Sequence, residues 1–186
     1  RLLGMPILRL ALGQTNPRLG DFEGNAAKIL ADVRRAFDSG ADLVAFGEMS
    51  LSGYPIEDLA TRPEFLRAAR TALDSLARDI EAVGAGSVPV IVGFPHGPLV
   101  NEGTGAHAPT AIAHNSAAVL LNGSVAGIYN KHHLPNYSVF DEYRNFRPGS
   151  ESLVLHLADT DVAVAICEDI WQEGNPLAAL EKVKPG

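Results

Sequence analysis

The sequence predicts an α/β fold in which a mixed sheet carries helices on one face. Three observations predict it. Short apolar runs alternate with two long stretches of helical spacing, giving the order β-α-β-α-β through the first half of the chain. An Asn-Gly pair then sits between two further apolar runs, the mark of a tight hairpin. The composition is globular: of 186 residues, 46% are hydrophobic and 20% charged, enough for one domain with a real core.

The elements follow in order. Residues 7–14 are apolar and branched and read as a buried strand. Residues 22–39 place Ala26, Ile29, Leu30, Val33, Ala36 and Phe37 at helical spacing, with Asp21 as N-cap and Gly40 as the C-terminal stop. Leu43–Phe46 reads as a short buried strand ending at Gly47-Glu48. Residues 52–63, with Gly53, Pro55 and Pro63, read as loop. Pro63–Ala82 reads as a second helix with the face Phe65, Leu66, Ala69, Leu73, Leu76 and Ile80. A third strand covers 89–94, and a polar Gly/Pro loop covers 95–109. Residues 116–121 and 124–129 flank Asn122-Gly123 as a hairpin. Residues 132–150 have no clean period and read as a long ordered loop. Residues 153–157 and 161–166 read as a strand pair, and a helix is expected to begin near Pro176. No repeat, low-complexity tract or internal domain boundary is visible.

Charge and composition exclude several function classes. With 22 acidic against 15 basic side chains the formal charge is −7, and no Lys/Arg cluster is present. That is not the footprint of a nucleic-acid or anionic-membrane binder. Aromatic residues, at 6%, are scattered and offer no base-stacking platform. The single cysteine, Cys167, rules out a disulfide within the chain and fits a reducing, cytoplasmic setting. No apolar run reaches the length of about eighteen residues needed to span a bilayer. No signal peptide is expected at the N-terminus, where Met5 reads as the natural start. The C-terminus is expected to be a truncation.

Three residues stand at strand ends. Cys167 follows the apolar run 162–166, where a sharp turn would present its sulfur beside backbone N–H groups able to hold an oxyanion. Taken alone, it is better explained as a small buried hydrophobe. Glu48 ends the run 44–46, where a carboxylate needs a partner or a task. Lys131 ends the hairpin, where a lysine is ordinarily a solvated tip. If the three strands are neighbours, these side chains converge at one sheet edge. A carboxylate there can take the proton of a thiol attacking a carbonyl, and an ammonium can stabilise the oxyanion. The ammonium would also favour the ionised carboxylate and thiol.

The segments around these residues resemble the nitrilase, or carbon–nitrogen hydrolase, superfamily, from Leu8 to Trp171. Phe46-Gly47-Glu48-Met49-Ser50-Leu51-Ser52-Gly53-Tyr54-Pro55 is similar to the family's glutamate segment. Its continuation Ile56-Glu57-Asp58-Leu59, and Lys131-His132-His133-Leu134-Pro135-Asn136-Tyr137, resemble the glutaminase branch found in bacterial NAD synthetases. Ile166-Cys167-Glu168-Asp169-Ile170-Trp171 is similar to the nucleophile elbow. The resemblance implies an α-β-β-α sandwich with Glu48 as general base, Lys131 as oxyanion stabiliser and Cys167 as nucleophile. It implies that Glu142 orients the lysine and assists proton transfer, that Tyr137 lines a glutamine pocket, and that the Glu168 backbone N–H donates to the oxyanion.

The implied reaction is hydrolysis of L-glutamine to glutamate and ammonia, without metal or organic cofactor. A synthetase domain, absent from this chain, would use the ammonia to amidate deamido-NAD with ATP and Mg. No Ser-Gly-Gly or Gly-Lys-Ser/Thr phosphate loop is present here. Self-association into a homo-oligomer is expected. The family's usual proline before the glutamate is Gly47 here, which permits more backbone states. Further strands and helices of the family fold would lie beyond Gly186. Two rival functions are a stand-alone amidase for another small amide and a catalytically silent chain with an assembly role.

The remaining signals are bland. His132 and His133 are adjacent and diverge on a strand. His96, His107, His114 and His156 have no metal-ligand spacing. Gly84, Gly86, Gly103 and Gly105 form no strand-to-helix phosphate turn. Trp171 reads as packing or pocket wall.

Overall fold

A computed structural model describes residues 7–97, 113–157, 159–174, 176 and 178. Helix α1 (Phe22–Asp38) begins at Asp21, whose side chain accepts from the Gly24 N–H. It ends in a Schellman turn: Gly40, at φ +74°, donates to Phe37, and Ala41 donates to Ala36. Helix α2 (Pro63–Ala82) starts on proline, whose missing N–H costs nothing at a first turn. Its buried stripe is Leu66, Ala69, Leu73, Leu76, Ala77 and Ile80, the expected face with Ala77 added and Phe65 only partly buried.

Five strands form the main sheet in spatial order β1 (Leu10–Gly13), β2 (Leu43–Phe46), β3 (Val90–His96), β4 (His114–Leu121) and β5 (Ser124–Asn130). β1, β2 and β3 run parallel, joined through the helices; β3, β4 and β5 run antiparallel. Asn122 and Gly123 both have positive φ, which is what a two-residue hairpin turn demands. A separate pair, β6 (Val154–Leu157) and β7 (Thr160–Ala163), is antiparallel.

The core lies between the helices and one sheet face. Ile29, Val33, Leu73, Leu76 and Ile80 meet Val44, Val90, Val92, Phe94, Ala118 and Leu120. Each large aliphatic side chain withdrawn from water here contributes roughly 2 kcal/mol. On the opposite face, Ala117 and Tyr129 pack with Val164, Ile166, Leu153 and Leu155, so the segment carrying β6 covers the β4–β5 side.

Five expectations need correction. The first strand is not buried: Leu10 and Leu12 are 50% and 67% exposed, because β1 is an edge strand and the helices cover only its Ala11 side. The strand expected over 161–166 is β7, which ends at Ala163. Residues 164–166 run on without a ladder, although the Val164 N–H still reaches the Leu153 carbonyl at 3.0 Å. The stretch 52–63 contains a 3-10 turn at Glu57–Thr61. The stretch 132–150 contains a one-turn helix, α3 (Glu142–Asn145). Neither is long enough to show a hydrophobic period. His132 and His133 lie in that loop and not on a strand.

β3 runs to His96, two residues past its expected end. The rest of the loop expected at 95–109, including Gly103, Gly105 and His107, lies mostly outside the described residues. Of the helix expected near Pro176, the Ala178 N–H donates to the Gly174 carbonyl at 2.9 Å, and the remainder lies outside them. No helix among the described residues is long and apolar enough to cross a membrane.

Candidate active site

Glu48 and Lys131 meet although their strands are not neighbours. β3 and β4 lie between β2 and β5. The chain leaving β2 crosses over β3 instead of continuing away from the sheet. The Leu51 N–H donates to the Gly93 carbonyl at 3.0 Å, and the Gly93 N–H donates to Ser50 Oγ at 3.2 Å. A Cβ on Gly93 would stand 2.4 Å from Met49 N and 2.5 Å from Gly47 O. Glycine at 93 therefore lets the turn lie flat on the strand, and the turn carries Glu48 across toward β4 and β5. Glu48 and Lys131 therefore converge, but the expected cause, adjacent strands, is not observed.

Lys131 is almost fully buried, and its ammonium is paired twice: with Glu48 Oε1 at 2.7 Å and with Glu142 Oε2 at 2.9 Å. Asn115, at the start of β4, donates Nδ2 to Glu48 Oε1 at 2.5 Å and to Glu142 Oε1 at 3.4 Å. The Tyr54 hydroxyl donates to Glu142 Oε1 at 3.1 Å. Two carboxylates thus share one ammonium, one amide and one phenol, leaving a net charge of −1 in a largely dry site.

This arrangement sets the proton affinities. Burial pulls the Lys131 ammonium down, but Glu48 and Glu142 more than offset it, so the lysine stays charged with a pKa above its ordinary value. Burial raises Glu142 above the usual carboxylate range despite the ammonium beside it. The Tyr54 phenol is pushed up by burial and by Glu142.

Cys167 opens a 3-10 turn, Cys167–Ile170, with φ at +47°, a left-handed backbone that non-glycine residues adopt at some cost. Its thiol is reached by the fields of Glu48, Lys131, Glu142 and Glu168. Burial raises its pKa, and the charge of Glu48 raises it further; Lys131 opposes both without prevailing. An ammonium that simply favours the thiolate, as the sequence suggests, is therefore outweighed. The resting group is a thiol, and its proton must leave as it attacks.

Asp169 anchors that turn. Fully buried, it accepts from Ile166 N–H at 3.0 Å, Tyr129 Oη at 2.7 Å, His132 N–H at 3.0 Å and His133 N–H at 2.8 Å. One carboxylate thereby ties the Cys167 turn to β5 and to the two residues after Lys131. Next to it, the Glu168 side chain accepts from Tyr137 Oη at 2.8 Å and Gln172 Nε2 at 2.7 Å, bonds that hold it below the usual carboxylate range. Tyr137 itself is 55% exposed.

The structure therefore gathers Glu48, Lys131 and Glu142 into direct contact, with Cys167 in their field and Glu168 and Tyr137 paired beside it. Sequence reasoning missed Asn115, Asp169, Gly93 and Tyr54. Asn115 and Asp169 did carry a signal, since each is a polar residue beside an apolar run. Gly93 and Tyr54 carried none without their partners. Among the described residues no group of three or more His, Cys, Asp or Glu side chains is placed to hold a metal ion.

Comparison with known proteins places this geometry in context. The sequence profile of the carbon-nitrogen hydrolase family matches residues 9–183. A glutamine-dependent NAD(+) synthetase of Thermotoga maritima is 44% identical over 95% of this chain and 28% of its own length. The structure of a glutamine-dependent NAD(+) synthetase from Acinetobacter baumannii, solved with ADP, superimposes with a TM-score of 0.73 at 32% identity, covering 95% of this chain and 30% of that one. An amidase variant from Nesterenkonia sp. AN1 superimposes with a TM-score of 0.68 at 25% identity, covering 88% of this chain and 59% of that one. It carries the product of Michael addition of acrylamide at its active site cysteine. The chain thus spans under a third of the length of the curated synthetases it matches.

Proposed function

Because this chain belongs to the carbon–nitrogen hydrolase family, and is homologous over most of its length to part of glutamine-dependent NAD(+) synthetases, we propose that it hydrolyses the side-chain amide of L-glutamine. The observation that carries the reading is the Glu48–Lys131–Glu142 cluster, built on a buried ammonium, within electrostatic reach of the chain's one cysteine. An active site cysteine, as in the amidase relative, has a single possible counterpart here.

In the proposed reaction, the Cys167 sulfur attacks the amide carbon while Glu48 takes the thiol proton. The C–S bond forms as the carbonyl electrons move to oxygen. That oxyanion lies against the Lys131 ammonium and the Glu168 backbone N–H. Collapse of the tetrahedral intermediate breaks the C–N bond, and Glu48 delivers its proton to the leaving nitrogen. Ammonia departs and a glutamyl thioester remains. Water then adds to the thioester, Glu48 takes its proton, and the thiol leaves reprotonated with free glutamate.

Glu142 keeps Lys131 aimed throughout, and Tyr137 with Glu168 lines the substrate's approach. The raised proton affinity of Cys167 supports a base-assisted attack over a standing thiolate. Neither metal nor organic cofactor enters these steps. In the whole protein, a synthetase domain using ATP and Mg would consume the ammonia to convert deamido-NAD to NAD, within a cytoplasmic homo-oligomer.

The test is intact mass after incubation with 6-diazo-5-oxo-L-norleucine, a reactive glutamine mimic. One adduct on the wild type and none on Cys167→Ala is expected. A folded wild type that gains no adduct would sink the reading.

A further inference from the structure

Asn115 is fully buried at the start of β4. Its backbone carbonyl accepts from the Lys131 N–H at 2.9 Å, so one residue contacts the lysine's main chain and both carboxylates that hold its ammonium. Its side-chain oxygen, also buried, meets no donor among the described residues. A buried amide oxygen without a partner is destabilising, so packing does not explain an asparagine here. The two bonds donated by Nδ2 do.

Those bonds are unequal and directional. Glu48 Oε1 receives Asn115 Nδ2 at 2.5 Å and Lys131 Nζ at 2.7 Å. Among the described residues, no donor reaches Glu48 Oε2. The two oxygens of one carboxylate are thus made different. One is saturated by a buried amide and a buried ammonium. The other keeps its lone pairs on a side chain that is 24% exposed.

We propose that Asn115 is a positioning residue for proton transfer: with Lys131 it saturates Oε1 of Glu48 and so leaves Oε2 as the atom that takes the thiol proton. This rests on Glu48 acting as the general base. Without Asn115, the carboxylate would be free to turn about its last torsion, since a single ammonium can pair with either oxygen. The repulsion between Glu48 and Glu142 would also be relieved by Lys131 alone. The titratable groups around Glu48 are Lys131, Glu142, Tyr54 and Cys167, from the residue after β5, α3, the turn after β2 and the cysteine turn. A substitution at 115 removes none of these groups, though Glu142 also loses its long bond from Asn115.

Asn115→Leu keeps the forked shape and removes both donors. Ammonia release from L-glutamine is followed across pH for this variant and the wild type, using the full chain. The expected kcat falls about a hundredfold, the lower range for losing an aligned base. KM stays within about threefold, because the binding surface is untouched. The acid limb of kcat/KM moves to higher pH, because a carboxylate that loses a donor holds its proton more tightly. A residue that merely packs would leave that limb in place.

A wild type with no Cys167-dependent ammonia release overturns the general-base reading together with this proposal. An active wild type, with a variant whose kcat and acid limb are unchanged, overturns the role of Asn115 alone. Should Asn115→Leu fail to fold, the side-chain amide resonance of Asn115 in 15N-labelled wild type decides. It is expected to titrate with the midpoint of the acid limb, and a resonance flat across that range overturns the proposal.

Discussion

The Tyr129 hydroxyl donates to Asp169 Oδ2 across 2.7 Å, joining β5, the last strand of the main sheet, to the turn that presents Cys167. Burial, with Asp169 as the acceptor beside it, raises the proton affinity of that phenol, so it remains a donor at any physiological pH. The same carboxylate accepts three backbone N–H groups. Replacing it by alanine removes the acceptor of all four bonds, two of them fully buried. Asp169→Ala is expected to lose about 3 kcal/mol or more of stability. Tyr129→Phe removes one charge-assisted bond and is expected to lose about 2 kcal/mol. Urea unfolding of both variants checks the order.

Gly93 and Gly47 make opposite predictions for the same substitution. A Cβ at Gly93 meets backbone atoms of the turn that carries Glu48, whereas a Cβ at Gly47 meets nothing within 4 Å. Gly93→Ala is expected to cost roughly 1–3 kcal/mol and to displace Glu48, with loss of labelling by the glutamine mimic. Gly47→Ala is expected to fold and label like the wild type. Thermal unfolding and intact mass together distinguish the two.

Position 167 tests the turn's backbone. Cys167 lies at φ +47°, where glycine is at ease and alanine is not. Cys167→Gly is expected to be more stable than Cys167→Ala by about 1 kcal/mol, both without the nucleophile. Equal unfolding midpoints would count against the left-handed turn.

The thiol's proton affinity has a testable sign. Burial raises it first, and the negative charge of Glu48 raises it further. The midpoint of iodoacetamide alkylation against pH is expected above that of an ordinary cysteine. In Glu48→Gln one raising influence is gone, and the midpoint is expected to fall. In Lys131→Met the cation that opposes the rise is gone, and the midpoint is expected to climb.

Lys131 has a pH consequence of its own. Its folded pKa lies above its unfolded value, net of burial, because of Glu48 and Glu142. Its stabilisation is therefore complete below the ordinary lysine pKa and is lost only as pH rises through the higher folded value. Urea midpoints should hold to about pH 10 and fall at stronger alkali. In Lys131→Met the strong-alkali fall should be smaller.

The sequence by itself determined the two long helices, the mixed sheet, the Asn-Gly hairpin and the places of Glu48 and Lys131 just past strand ends. Each depends on local spacing, capping or turn chemistry, which neighbouring residues settle among themselves. It also carried the family resemblance that assigned Glu142, Tyr137 and Glu168. What it could not decide was how residues on non-adjacent strands meet. Glu48 reaches Lys131 because its turn crosses β3, and that crossing depends on a missing Cβ at Gly93, a contact between segments over forty positions apart. Asn115 and Asp169 have the same character. Their hydrogen bonds reach across the fold, and only packing brings their partners within range. The exposure of β1 was likewise hidden, because apolar side chains alone do not say which strand becomes the edge. Local chemistry chose the elements, and the desolvated contacts between them chose the site.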